Sequence, residues 1–124
     1  MQKQLIIFGT GDVAELANFY FSKYSDYKVI AFCLDEEFIT ETMKFGIPII
    51  SVKEACKLHP PKDADFFIAL GYSKVNEVRK KKYEHFKKMG YKLASFISPD
   101  SNLLHDHKIG ENVFLLEDNT IQPF

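Results

Sequence analysis

The sequence predicts an α/β fold: a small parallel sheet flanked by helices over residues 1–100, followed by the opening of a repeat architecture over residues 101–124. Three observations carry this expectation. The apolar run Leu5-Ile6-Ile7-Phe8 stops at Gly9-Thr10-Gly11 and passes directly into helix-like spacing, which reads as strand, tight turn and helix. Further apolar runs, at 27–34 and 65–70, are separated by segments of helical period, the signature of βαβ units. Finally, Leu103, Ile109, Leu115 and Ile121 fall six residues apart.

Composition narrows the function classes. With 124 residues, 46% of them hydrophobic and 15% aromatic, the chain has the material for one cored domain or one domain plus part of a second. A formal net charge of −1 gives no support to nucleic-acid or acidic-membrane binding. No apolar run approaches the roughly 18 residues of a membrane span. Met1-Gln2-Lys3 leads into a strand rather than a signal peptide, so a cytoplasmic location is expected. Cys33 and Cys56 lack metal-ligand spacing and are expected as reduced thiols, and no metal site is expected.

The first unit is the opening of a nucleotide-binding βα motif. Gly9 permits a sharp reversal, Gly11 has no Cβ to hold a ligand's phosphate away, and Ala14 fills the third small position. Val13, Leu16, Ala17, Tyr20 and Phe21 recur on one helical face, so a helix to about Lys23 should lie on the sheet with its N-terminal amides above Gly9, Thr10 and Gly11. Asp12 stands where a carboxylate caps a helix and opposes a diphosphate. Tyr27 to Leu34 is a second strand, apolar enough to be covered on both faces. It ends in Asp35-Glu36-Glu37, and an acidic residue there is placed to hydrogen-bond a ribose or base, which makes Asp35 the candidate ligand contact.

Residues 38–45 give no clear period. Gly46 to Ile50 is a short third strand whose Pro48 belongs near an edge, and Ser51 with Glu54 forms a capping box for a helix from Val52 to about Leu58. Residues 65–70 form a fourth strand that breaks at Gly71-Tyr72-Ser73, a second loop expected beside the first at the carboxyl edge of the sheet. The next helix, Lys74 to Met89, should place Val75, Val78, Phe86 and Met89 inward and end at Gly90 in a left-handed cap. Its run Arg79-Lys80-Lys81-Lys82 reads as a solvated face, with Arg79 the member to watch for a phosphate contact. Lys92 to Ile97 is a fifth strand.

From Leu103 onward the hexads read as a parallel β-helix, each short side turning one aliphatic residue inward, with coils of roughly 18 residues. Little more than one such coil is present, so the expectation is a β-helix cut off in its first turns. Its open strand edges invite at most weak self-association.

Taken in order, the Gly-x-Gly opening, Leu34-Asp35, Phe67-Ile-Ala-Leu-Gly-Tyr-Ser73, a helix with Asn76 and Arg79, Lys88-Met-Gly-Tyr-Lys-Leu93 and the hexads resemble the bacterial sugar O-/N-acyltransferases of the NeuD and PglD type, sialic acid O-acetyltransferases and bacillosamine N-acetyltransferases. The resemblance implies a Rossmann-like domain binding a nucleotide-sugar, followed by a trimeric left-handed β-helix binding acetyl-CoA, in a cytoplasmic enzyme of surface-glycan biosynthesis. It implies that Gly9, Thr10 and Gly11 lie against the diphosphate, Asp35 against base or ribose, and Gly71, Tyr72 and Ser73 along the nucleotide's other side; Asp12, where many relatives continue with glycine and histidine, is a further substrate-binding candidate that departs from their pattern. The general base of such enzymes is a β-helix histidine. His105 and His107 fall too early to match it and read as first-coil or linker residues, so no catalytic residue is assigned and these 124 residues are expected to be inactive alone, as a monomer or weak oligomer. Two other readings stand beside this one. Gly9-x-Gly11-x-x-Ala14 with Asp35 also satisfies an NAD(P) fingerprint, and the domain would also serve as a ligand-free scaffold for trimer assembly.

Overall fold

A computed structural model describes residues 3–69, 76–97, 113–115 and 121–123, with side chains at 3–69 and 80–95. The chain alternates strand and helix: β1 (Lys3–Phe8), α1 (Asp12–Tyr24), β2 (Tyr27–Leu34), a 3-10 turn (Glu36–Phe38), β3 (Met43–Lys44), β4 (Ile47–Ser51), α2 (Val52–Leu58), β5 (Ala64–Ile68) and α3 (Asn76–Lys88). Three short strands follow, β6 (Phe96–Ile97), β7 (Val113–Leu115) and β8 (Ile121–Pro123).

The main sheet has the order β3-β4-β2-β1-β5, parallel except for β3 at its edge. The chain moves outward from β1 through β2 to β4 and then returns to the other side of β1 as β5. The order therefore reverses between β1 and β5, and the crevice at their carboxyl ends is where such sheets take ligands. The parallel sheet is covered on both faces, so β1 is apolar throughout its last four residues. Leu5 and Ile7 face α1, together with Ala14, Ala17 and Phe21, while Ile6 and Phe8 face α2 and α3 with Val52, Ala55 and Phe86.

Pairing between β1 and β2 slips at Ile30: Leu5 opposes Val29, but Ile6 opposes Ala31. The bulge puts Ile30 and Ala31 on the same side and reverses the phase of the rest of the strand, so Phe32 faces α1 and Cys33 faces α2 and α3. Asp35 follows in that phase and emerges on the α3 side. Strict alternation from Val29 would have turned it toward α1.

Helix α3 docks through Phe86, fully buried and stacked on Phe66 at 4.0 Å between ring centroids. It ends as the sequence predicts: Gly90 has φ +98, and the Tyr91 amide donates to the Phe86 carbonyl at 3.0 Å, the six-to-one bond of a Schellman cap. That turn swings Tyr91 under the sheet, edge-on to Phe66, with its hydroxyl donating to the His59 carbonyl. Helix α2 starts as predicted too, with the Ser51 hydroxyl accepting from the Glu54 amide at 3.1 Å. Residues 38–45, which gave no period, hold the edge strand β3. It joins β4 through Phe45 (φ +52) and Gly46 (φ +75), both at positive φ as in a type I′ turn.

Several expectations are corrected. Leu16 is 41% exposed, because the buried stripe of α1 is the narrow set Ala14, Ala17 and Phe21, and Leu16 sits about 100° of helix away from it. Met89 is 42% exposed, since the helix ends one residue earlier. The fifth strand shrinks to a bridge between Leu93 and Phe66 plus the pair Phe96–Ile97, which runs parallel to β7. The hexad region is not among these corrections: Leu115 and Ile121 fall in the strands β7 and β8, which pair antiparallel, and most of the hexads lie outside the described residues. A coil pairs residues about 18 apart, and the partner Ile121 would have, Leu103, lies with Ile109 outside the described residues.

Candidate functional site

The loop after β1 and the turn after β2 both stand at the carboxyl edge of the sheet. At the end of β1, Gly9 takes φ +121, and its amide donates to the Cys33 carbonyl at 2.9 Å. That amide is therefore spent on the sheet ladder and is not a phosphate donor. The donors left for an anion are the first-turn amides of α1, which have no intrahelical partner; the first intrahelical bond is from the Glu15 amide to the Gly11 carbonyl at 3.0 Å. Gly11 is the residue at the N-cap position (φ −84, ψ −159), and a Cβ built there meets nothing within 4 Å. Packing among the described residues does not require glycine at this position. Asp12, expected as the cap, is instead the first helical residue, exposed and making no capping bond. Glu15, one turn along, pairs with Lys44 of β3 at 2.9 Å and ties the helix start to the sheet edge.

Asp35 stands one residue past β2, as predicted, but it is already engaged. Its Oδ1 accepts from Lys82 Nζ at 2.6 Å, with the lysine side chain 19% and the carboxylate 33% exposed. The same ammonium lies 5.3 Å from the centre of the Phe8 ring, at the end of β1. Lys82 thus reaches from α3 across the tops of both central strands. Lys82 does not lie on the solvated face expected of the whole lysine run, and that expectation is corrected. Lys80, Lys81, Lys87 and Lys88 are exposed, but Lys82 stands four residues before the buried Phe86, on the helix's inner stripe. A lysine on such a stripe must lay its stem along the core and lift its charge to the edge. That i, i+4 relation was the available signal.

Beside this ion pair lies a cleft of about 620 Å³ between the ends of β2 and β4 and the helices α2 and α3. One wall is apolar and soft: Val52, Cys56 and Met89, with the Cys56 thiol 3.8 Å from the Met89 sulfur. Burial pushes the Cys56 thiol up in pKa and the fully buried Cys33 thiol beneath it further in the same direction, so both are protonated and inert near neutrality. The rim is charged and divided. Asp35, Glu36 and Glu37 line the β2 side, while Lys53 and Lys57 come from α2 and Lys82 and His85 from α3. An adjoining chamber of about 380 Å³ is lined by Asp35, Lys81, Lys82 and His85. Gly9, Thr10, Gly11 and Asp12 do not line the cleft, so Asp35 is the predicted site residue it shares. Arg79 lies in the first turn of α3, and its side chain is outside the described residues, as are Gly71, Tyr72 and Ser73 altogether. Among the described residues no cluster of His, Cys, Asp or Glu is arranged to hold a metal, and no helix is long and apolar enough to cross a membrane.

Comparison with known proteins adds a family and a fold. The family model described as PglD N-terminal domain matches residues 4–86. No curated protein matches the chain. Among solved structures, the acetyltransferase domain of PglB from Neisseria gonorrhoeae FA1090, in complex with acetyl coenzyme A, superposes with a TM-score of 0.71 at 20% identity over 94% of this chain and 54% of that one. The same domain without the coenzyme in its description gives 0.64 at 23% identity, over 80% of this chain and 46% of that one. UDP-D-quinovosamine 4-dehydrogenase from Vibrio fischeri gives 0.62 at 20% identity, over 74% of this chain and 75% of that one. The chain thus spans about half the length of the PglB domains it resembles. At these identities the superpositions establish the Rossmann-like fold.

Proposed function

The chain belongs to the PglD N-terminal domain family, and on that premise we propose that it is the nucleotide-sugar-binding portion of an acetyl-CoA-dependent sugar O- or N-acetyltransferase of surface-glycan biosynthesis. The observation that carries the proposal is Asp35, set at the end of β2 on the rim of a 620 Å³ cleft at the carboxyl edge of the sheet. A carboxylate there is placed to accept from a ribose hydroxyl, with the apolar wall of Val52, Cys56 and Met89 beside it for the base. The diphosphate would then run toward the α1 amides past Gly11, where no Cβ intrudes. Gly71, Tyr72, Ser73 and Arg79 are assigned to the same ligand from their positions in sequence. Acetyl-CoA and the histidine base belong in this reading to left-handed β-helix coils that the hexads from Leu103 would begin, in a homotrimeric, cytoplasmic enzyme. The PglB domain solved with acetyl coenzyme A supports that cofactor for a protein of the same fold. Residues 1–100 bind and select the nucleotide-sugar, and by themselves do no transfer.

The test is a calorimetric titration of the chain with UDP, CMP, GDP and dTDP, each with and without a sugar, and with NAD beside them. Saturable binding of one sugar nucleotide is expected, weakened at least about ten-fold in Asp35→Ala by loss of a charged hydrogen-bond acceptor. Binding of NAD alone would replace the proposal with a dinucleotide-binding module, and silence from every ligand would leave a scaffold.

A further inference from the structure

The ion pair at the mouth of the cleft makes a more specific demand on the ligand. Resting on the reading of the cleft as a nucleotide site, we infer that Lys82 is its specificity-determining residue: it orients Asp35 to accept from the ribose and presents its own remaining donors to a ligand phosphate. The site therefore selects nucleoside phosphates over nucleosides.

Three observations lead there. First, a carboxylate that grips a ribose diol uses both oxygens, and Asp35 Oδ1 already accepts from Lys82 at 2.6 Å. Lys82 thereby sets the direction in which Oδ2 and the remaining lone pair of Oδ1 face a ribose. Second, an ammonium has three donors, and the described partner of Lys82 takes one of them. The stem is pinned by the core beneath it and the charge sits 5.3 Å from the Phe8 ring, one residue before the Gly9 turn. The other two donors are thus held at the carboxyl ends of β1 and β2, between Asp35 and the loop that leads to the α1 amides. Third, the charges around the cleft are segregated. The cleft is acidic on the β2 side, at Asp35, Glu36 and Glu37, and carries lysines on the helix side, Lys53 and Lys57 from α2 and Lys82 from α3; the small chamber on the α3 side is lined by Lys81, Lys82 and His85 and by Asp35, the carboxylate that Lys82 pairs. A molecule with a hydroxyl toward the acids and a phosphate toward α3 matches that division. An uncharged nucleoside uses only half of it.

The experiment is a titration of the full chain, wild type and two variants, with uridine, UMP and UDP and with the guanosine series alongside. Wild type is expected to gain at least about ten-fold in affinity from nucleoside to nucleoside diphosphate, the worth of one hydrogen bond to a charged group. Lys82→Gln keeps an amide donor near Asp35 but no charge, so it should lose that gain: affinity for the diphosphate is expected to fall at least about ten-fold more than affinity for the nucleoside. Lys82→Arg, which keeps the charge, should retain the gain. If Lys82→Gln weakens nucleoside and diphosphate equally, Lys82 merely positions Asp35 and the inference is overturned. The same follows if Lys82→Arg melts like wild type yet loses the phosphate gain. A wild type that binds nucleosides with no phosphate gain removes the role of Lys82 and leaves the cleft as a nucleoside site. Binding of neither nucleoside nor nucleotide overturns both.

Discussion

Both ends of the sheet carry a grooved surface of nearly the same size and a polar contact of the same length, yet the two are built differently. At the carboxyl end, about 620 Å³ of cleft adjoins the Asp35–Lys82 pair at 2.6 Å. At the amino end, about 630 Å³ of groove is lined by Lys3, Lys62, Asp63, Asp65 and Lys92, and the Tyr27 hydroxyl donates to Asp65 Oδ2 at 2.6 Å. Volume does not separate them; construction does. The Tyr27–Asp65 contact joins two strands across β1, and its donor is a neutral phenol whose ring packs edge-on against Phe21 at 5.6 Å. The Asp35–Lys82 contact joins a strand end to a helix, both partners are charged, and an apolar wall stands beside it. A ribose hydroxyl and a phosphate can take up the bonding capacity left at the carboxyl end. At the amino end the groove has no comparable wall of Val, Cys and Met.

The strongest way to break this contrast is to undock the helix that delivers Lys82. Phe86→Ala removes a fully buried ring stacked on Phe66 and edge-on to Phe8. A loss of about 3–5 kcal/mol is expected, the usual cost of deleting a core aromatic. Urea unfolding followed by circular dichroism measures it. The nucleotide response should vanish with the stability, since the carboxyl-end pair depends on α3, whereas the Tyr27–Asp65 contact needs only strands. A loss under about 1 kcal/mol would mean that Phe86 does not anchor the helix.

How much of this contrast was legible in the sequence follows from which signals are local. The strand Tyr27–Leu34, the Ser51 cap and the Gly90 cap were readable because a hydroxyl three residues before a glutamate, or a glycine after a helical run, acts within one turn of chain. Asp35 was readable by position. Its partner was not, because two events far apart in sequence create the pair. The bulge at Ile30 turns Asp35 to the α3 side, and nothing in a run of apolar residues marks where a register slips. The lysine-rich run on α3 then hides the one lysine that falls on the Phe86 stripe among those that do not. Leu16 fails for the opposite reason: it looks like core by type, and lies off the stripe by angle.

A smaller effect sharpens the amino end. Burial first, then the hydrogen bond to Asp65 and its negative charge, hold the Tyr27 phenol well above its ordinary pKa of 10.0. Because the folded value exceeds the unfolded one, the protonated phenol adds stability that is complete below pH 10 and is lost as pH rises beyond it. Tyr27→Phe should cost about 1–3 kcal/mol near neutrality, by leaving the Asp65 carboxylate without its donor. The gap between variant and wild type should narrow above pH 10, and nucleotide titration should be unchanged. Thermal melts across pH 7 to 11, alongside the titration, check all three. A Tyr27→Phe protein with altered nucleotide affinity would show that the two ends are coupled, and the contrast would fail.

The smallest effect on stability belongs to the carboxyl end, and it isolates ligand from fold. Gly11 has an ordinary φ of −84, and an added Cβ meets no atom within 4 Å among the described residues, so Gly11→Ala strains none of them. Its stability cost is expected to stay under about 1 kcal/mol, the difference between glycine and alanine at a helix N-cap. Its effect on binding should be larger, because the methyl group would stand beside the first-turn amides of α1, where a diphosphate has to come close. A melting temperature near wild type together with at least a ten-fold weaker nucleoside diphosphate, roughly 1.4 kcal/mol, is the expected pair of results. Nucleoside affinity should be untouched, since the base wall and Asp35 lie in the cleft that Gly11 does not line. Equal affinity for the diphosphate in both proteins would place the phosphate away from the loop, with Lys82 and the α3 chamber as its whole binding site. That outcome would move the glycines of the first turn from ligand contact to chain reversal, a role that Gly9 at φ +121 already fills.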